Sequence, residues 1–325
     1  MRAYQKTGYI NHPQQLCTVR RMTVSEGKAK GTDIIEVCTA DGLQVDILPD
    51  TGLDIGQVRY KGINMTFISK NGYDSPAAIN PYELEFLNTF PGGLLYTCGL
   101  RTTGGPHWDG NEWQTQHGRI HGLPAEPVSV REEDDCIIVQ GTARETALFG
   151  YNLELKRTIR IPMLGADITV SDKITNLGFQ EEEIALLYHC NFGYPLISEQ
   201  AHLELPEDRK TTPRTAFAAT GLGRETTFDA PTPGEEERVF FHENMEHQTA
   251  IVNESLNTRM EMTWSETLPI LAHWRSMASS DYVCALEPTN SYIMGRKFER
   301  ENGSLPKLQS FETLKTQVTF HFETI

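Results

Sequence analysis

Residues 32–48 read Thr-Asp-Ile-Ile-Glu-Val-Cys-Thr-Ala-Asp-Gly-Leu-Gln-Val-Asp-Ile-Leu. Two runs of alternating apolar residues flank Asp41-Gly42, a pattern that predicts a β-hairpin because Asp-Gly supplies the turn the strands' twist requires. The pattern continues outward. Pro49-Asp50-Thr51-Gly52 is turn chemistry,. Residues 54–60 alternate again, and Lys61-Gly62-Ile63-Asn64 turns once more.

Further along, residues 127–133 and 135–143 pair across Glu133-Asp134-Asp135, and 151–161 and 167–176 alternate over their lengths. Residues 184–195 form an apolar run without alternation, the mark of a strand buried on both faces,. Strands are also predicted at 238–242, 249–253, 259–264, 268–274, 282–286 and 311–322. Residues 82–88, bracketed by prolines, suit a short helix, and the polar stretch 206–237 reads as surface connections. No Gly-rich turn follows a strand and opens a helix, so a dinucleotide-binding α/β fold is excluded. Many short strands closely spaced predict an all-β protein, one large antiparallel β-sandwich with few short helices, spanning residues 1–325 as a single domain.

With 29 basic and 44 acidic residues among 325, the formal net charge is −15. That balance argues against nucleic-acid and anionic-membrane partners, which need a basic footprint. The six cysteines are scattered without a Cys-x-x-Cys pair, and several sit in apolar runs as small hydrophobes,. The N-terminus lacks the apolar core of a signal peptide, and no run approaches a membrane span. A soluble cytoplasmic protein is expected. The sequence does not set an oligomeric state.

Candidate chemistry sits in three places. Residues 90–127 hold three of the ten histidines (His107, His117, His121), Arg101, Arg119 and many glycines. Gly and Pro punctuate this stretch into loops between short strands, and loops on a rigid scaffold are where binding groups concentrate. The second place is Tyr188-His189-Cys190-Asn191 at the end of the buried run. A polar His and Asn there cost free energy unless paired, so His189 is either a satisfied core residue or a functional one. The third is Glu287-Pro288, where a proline is expected to end the strand; Glu287 is then a solvated terminus or a cleft carboxylate of raised pKa. A carboxylate and an imidazole suit a reaction in which one oxygen loses a proton while another gains one. Arg101, Arg119 and the histidines would donate hydrogen bonds to hydroxyls or an anionic group. Tyr96, Trp108, Trp113 and Phe192 are candidates to cover an apolar sugar face.

The order of Leu48-Pro49-Asp50-Thr51-Gly52-Leu53-Asp54-Ile55, Gly92-Gly93-Leu94-Leu95, Cys98-Gly99-Leu100, His117-Gly118-Arg119, Tyr188-His189-Cys190-Asn191-Phe192-Gly193 and Glu287-Pro288-Thr289-Asn290 resembles the galactose mutarotase-like (aldose 1-epimerase) superfamily, nearest to an uncharacterised aldose 1-epimerase-like branch. The resemblance implies a β-supersandwich that binds a sugar, or sugar derivative, in a concave face and needs no metal or organic cofactor. It implies that a late Glu takes the anomeric hydroxyl proton while a mid-chain His protonates the ring oxygen; the ring opens, rotates about C1–C2 and recloses. Glu287 matches the base and His189 the acid. His117 resembles the histidine that holds the ring oxygen, with His121 as its rival, Arg101 resembles a substrate-binding arginine, and Asn191 is a further substrate-binding candidate. The family's Asn-Arg pair near the first strands is replaced here by the Asp50–Asp54 region and Arg59, which points to an unusual sugar, a sugar acid or a glycoside. Two alternatives stand beside the mutarotase reading. One is a metal-assisted lyase or hydratase using His117, His121, His189 and Glu287; the other is a sugar-binding module without turnover.

Overall fold

The computed structural model describes residues 4–75 and 85–325. The predicted first hairpin forms between Asp33–Thr39 and Leu43–Leu48, with Ile35 opposite Ile47 and Val37 opposite Val45. The next, between Asp54–Tyr60 and Ile63–Asn64, turns over Lys61 (φ 49°) and Gly62 (φ 81°), two left-handed residues whose twist suits a two-residue hairpin. Together with Cys17–Thr23 these strands make a five-stranded sheet.

Two larger antiparallel sheets pack face to face. The eight-stranded sheet runs, in spatial order, Ala201–Glu204, Gln248–Asn253, Thr258–Trp264, Thr313–Thr324, Asp167–Asn176, Asn152–Pro162, Cys136–Thr146 and Ser129–Glu133. The six-stranded sheet runs Lys210–Pro213, Arg238–Glu243, Ile270–Ala278, Asp281–Thr289, Ala185–Phe192 and Tyr96–Leu100. Leu155, Ile159, Val170, Met262 and Phe320 from the first meet Leu186, Tyr188, Phe192, Leu271 and Leu286 from the second in one core. This is the expected β-sandwich, built from inward residues at every second position.

The six-stranded sheet is apolar on its other face too. Phe90, Tyr96, Leu187, Val239, Phe241 and Ala272 form a second cluster there, with Phe86 and Trp274 packed against it. Both faces of Ala185–Phe192 are therefore covered, and all eight residues are buried. That explains the missing alternation.

Three expectations need correction or completion. Pro288 does not end its strand, which runs on to Thr289. The ladder continues on one side, with Leu271 opposite Pro288. On the other side it lapses at Tyr188 and His189 and resumes at Leu187–Thr289, as the missing proline N–H requires. Glu287 thus lies inside the sheet. The stretch 206–237 is more than surface connection, since it supplies the edge strand Lys210–Pro213 and the short helix Ala216–Ala219. Of the helix expected at 82–88, Glu85–Thr89 is helical and 82–84 lie outside the described residues. The six cysteines are free, and all but Cys38 are buried. No described helix is long and apolar enough to cross a membrane.

Candidate active site

Neighbouring strands of the six-stranded sheet set one row of side chains on its outer apolar face. Tyr96 lies opposite His189, Ala272 opposite Glu287, and Phe241 opposite Ala272. The register that pairs Leu187 with Thr289 and Cys190 with Leu286 sets His189 opposite Glu287. Directly opposed residues share a face, so the imidazole and the carboxylate meet. His189 Nε2 lies 3.1 Å from Glu287 Oε1.

Both groups are desolvated: His189 is 5% exposed and Glu287 1%. Around them stand Phe90, 5.1 Å from the His189 ring, Trp274 at 5.4 Å and His117 at 6.0 Å, measured between ring centroids. Asn191, the next residue on the same face, donates to the carbonyls of Gly93 and His189, each at 2.9 Å. Glu287 Oε1, His189 Nδ1 and Asn191 Oδ1 have no hydrogen-bond partner among the described residues. Buried polar atoms left unpaired cost about 1–3 kcal/mol each. Unpaired polar atoms of this kind call for an explanation that the chain's own hydrogen bonds do not give.

Burial sets the protonation states. It pushes the Glu287 carboxyl well above the usual carboxylate range, opposed by the charge of Arg214 and reinforced by Glu237. It pulls His189 down to about 3, helped by the neighbouring His117 and opposed by the side chain of Asn191. His117, half-buried, falls to about 4 through burial and then Arg214. The resting pair is a neutral acid beside a neutral imidazole. It holds one exchangeable proton.

His117 reaches the site through its loop. Its φ is 57°, its carbonyl accepts from Gly99 N at 2.9 Å and its N–H donates to Gly104 O at 2.9 Å. Gly118 follows at φ +79°, where a Cβ would stand 2.2 Å from the Gly99 carbonyl oxygen, so no larger residue fits that turn. His121 stacks on Tyr96 at 4.7 Å and meets Phe86 edge-on at 6.1 Å. Of the two rivals, it is His117 whose ring packs on His189. Burial pulls His121 down to about 3 from 6.5. A histidine with a lowered folded pKa is uncharged in the fold and protonated in the unfolded chain, so its contribution is intact above pH 6.5 and lost as pH falls toward 3. At pH 5 that deficit is about 2 kcal/mol. His121→Phe should therefore reduce the stability lost between pH 7.5 and pH 5 by about that amount in urea titrations; an unchanged pH dependence would refute a buried neutral imidazole.

Other predicted residues lie elsewhere. Arg101 pairs with Glu112 and, at 3.1 Å, with Glu182, and lies 4.0 Å over the Tyr151 ring. Exposed Arg119 shares a small cavity with it. Phe192 points into the inter-sheet core because it alternates with Asn191, and so cannot cover a sugar. Trp108 is 66% exposed and packs edge-on against Trp113 on a hairpin tied through Asp109 to Arg296 at 2.8 Å. Of the four aromatic candidates, Tyr96 lines the His189–Glu287 face.

The rim holds residues that the sequence reading passed over. Arg214 Nη2 lies 2.6 Å from Glu237 Oε1, and Glu237 Oε2 accepts from Trp274 Nε1 at 2.6 Å. This places a cation where it acts on Glu287 and His117, and an indole beside His189. Trp274 was readable, since it shares the period-2 phase of Ile270 and Ala272. Arg214 was not, because nothing local ties it to a site formed by strands far along the chain.

A family model described as a domain of unknown function, DUF4432, matches residues 29–322. The chain belongs to that family. A solved structure from Klebsiella pneumoniae subsp. pneumoniae, provisionally assigned as an aldose 1-epimerase, is 25% identical, with 94% of this chain and 83% of that one aligned at a TM-score of 0.87. A galactose mutarotase-like protein from Clostridium acetobutylicum aligns at 17% identity over 96% and 100% of the two chains, with a TM-score of 0.67. Galactose 1-epimerase from Lactobacillus acidophilus aligns at 14% identity over 94% and 99%, with a TM-score of 0.63. No curated protein matches the sequence at a significant level. The fold is that of the galactose mutarotase-like superfamily, as the motif order implied.

Proposed function

We propose that the protein interconverts the anomers of a sugar or sugar derivative, with Glu287 and His189 exchanging a proton through the substrate. The observation that carries this reading is the 3.1 Å approach of His189 Nε2 to Glu287 Oε1 on an aromatic-lined face, with polar atoms left free on both. In ring opening, the Glu287 carboxylate takes the proton of the anomeric hydroxyl while the His189 imidazolium gives one to the ring oxygen. The charged pair becomes the neutral pair, and the single proton is conserved. Burial favours the neutral form, which is the form that reverses the step when the aldehyde recloses. Each half of the cycle therefore needs only proton transfers over hydrogen-bond distance, the regime in which a positioned acid and base are effective. Tyr96, Phe90 and Trp274 would cover the apolar face of the ring, and His117 would meet the ring oxygen.

Among the described residues, no group of three or more His, Cys, Asp or Glu is disposed to hold a metal ion; elemental analysis of the purified protein tests the metal-assisted lyase directly. Saturation-transfer NMR across a panel of aldoses, sugar acids and simple glycosides tests the proposal. The expected result is accelerated exchange between the anomeric signals of at least one reducing sugar. Binding with unaltered exchange for every sugar would leave the binding-module reading instead.

A further inference from the structure

Behind the loop that carries His117, a cavity of about 90 Å³ is lined by Arg101, Thr102, Trp113, Gln114, Arg119 and Glu145, among others. It belongs to neither the His189–Glu287 row nor the aromatic cluster around it. Three atoms of its lining residues, Thr102 Oγ1, Trp113 Nε1 and Gln114 Nε2, are buried without a hydrogen-bond partner among the described residues. Gln114 is 4% exposed and Thr102 3%, so neither reaches bulk solvent. An indole N–H and an amide NH₂ can only donate, and a hydroxyl also donates. Arg119, exposed at the loop, adds a guanidinium with no side-chain hydrogen bond or ion pair among the described residues. Arg101 is already committed to Glu112 and Glu182.

Two carboxylates line the cavity as well, and Glu112 is taken by Arg101. Glu145 spends Oε2 on the Leu100 N–H at 2.8 Å, and burial pushes its carboxyl up to about 7 against the opposing charges of Arg101 and Arg119. Near neutrality much of it carries a proton. A surplus of buried donors beside an unpaired arginine selects an acceptor-rich, negatively charged guest. Size points the same way: a cavity of about 150 Å³ takes benzene, and one of about 90 Å³ suits an ion of a few heavy atoms.

The geometry points to a second binding site, distinct from the sugar-facing one, that holds a small oxyanion, a phosphate or a simple carboxylate, between Trp113, Gln114, Thr102 and Arg119. The turn that walls it, Thr115 to Arg119, also carries His117; Thr115 Oγ1 donates to Gly118 O at 2.7 Å and Gly99 O accepts from Arg119 N at 2.9 Å.

The test is titration of the ¹⁵N-labelled full chain at pH 6.5 with sodium phosphate and, separately, sodium acetate, ionic strength being held with chloride. Four indole N–H signals report, and Trp113→Phe assigns the relevant one. A saturable shift of the Trp113 signal in either arm is expected, while Trp264, bonded to Leu268 O at 3.0 Å, stays still. The arm that responds tells a tetrahedral from a planar guest. Arg119→Gln, at an exposed position that leaves folding intact, should weaken the response about tenfold; Gln114→Leu should weaken it similarly. No shift in either arm, or a shift that both variants leave unchanged, would mean that the cavity is filled by water and would overturn the proposal.

Discussion

Glu287→Gln should lower anomer exchange by at least about 10²-fold while leaving the thermal midpoint within about 2–4 °C of the parent. The two halves of this expectation come from one fact. Burial keeps the Glu287 carboxyl neutral in the resting protein, and an amide is nearly isosteric with a neutral acid. The fold therefore sees little change. The reaction loses its proton acceptor outright, because an amide cannot take the anomeric proton. Polarimetry on the sugar that responds in the panel gives the rate, and calorimetry gives the midpoint. A variant of full activity would remove Glu287 from the mechanism. A midpoint lowered by 10 °C or more, with activity lost in proportion to unfolded protein, would make it a structural residue instead.

The sheet was legible because its signals are local. Asp41-Gly42, Lys61-Gly62 and Asp134-Asp135 each sit between alternating runs, and each becomes a turn with left-handed residues. The continuous run at 184–195 announced a strand covered on both faces, and the second apolar cluster supplies the second cover. His189 and Glu287 were legible as polar residues inside apolar strands, but their meeting was not. It depends on the register between strands about a hundred residues apart, which no local pattern encodes. Pro288 misled for a related reason. Proline stops a strand only if its missing N–H was needed, and here the neighbouring ladder skips that rung while the other side holds. Arg101 illustrates the limit. Its partners Glu112 and Glu182 come from two other segments, so its direction is a tertiary fact.

One signal was present and unused. In the run 153–161 the inward phase is Leu153, Leu155, position 157, Ile159, Ile161, and position 157 is Arg. In 168–174 the same phase passes through Asp172. A charged residue in phase with core aliphatics predicts a buried, paired charge, and the structure provides one. Arg157, 1% exposed, binds Asp172 through Nε at 3.0 Å and Nη2 at 2.7 Å, Asp54 through Nη1 at 2.7 Å and Thr97 Oγ1 at 2.8 Å. Tyr188 donates its hydroxyl to Asp172 at 2.6 Å. Thr97 and Tyr188 are the chain neighbours of Tyr96 and His189, pointing to the opposite face. The cluster thus fixes, from behind, the two strands that present one side of the candidate site.

Arg157→Met should destabilise the protein by about 3–5 kcal/mol near pH 8, since it leaves two buried carboxylates without their cation. The sign of the pH dependence follows. Burial already raises the Asp54 pKa, and Arg157 is the largest opposing influence. Without it, the folded-state pKa of Asp54 rises further above the unfolded value near 3.8. The variant then binds more protons folded than unfolded, so its stability is greatest at low pH and is lost as pH rises through the raised value. The deficit relative to the parent should be smaller at pH 5 than at pH 8 in urea titrations. Adding Asp54→Asn and Asp172→Asn to Arg157→Met should recover part of the loss at pH 8, because neutral amides in these places carry no charge to desolvate. A deficit below about 1 kcal/mol at pH 8, or one that grows on acidification, would contradict a buried ion cluster. The buried charge would then have to be neutralised by something other than Arg157.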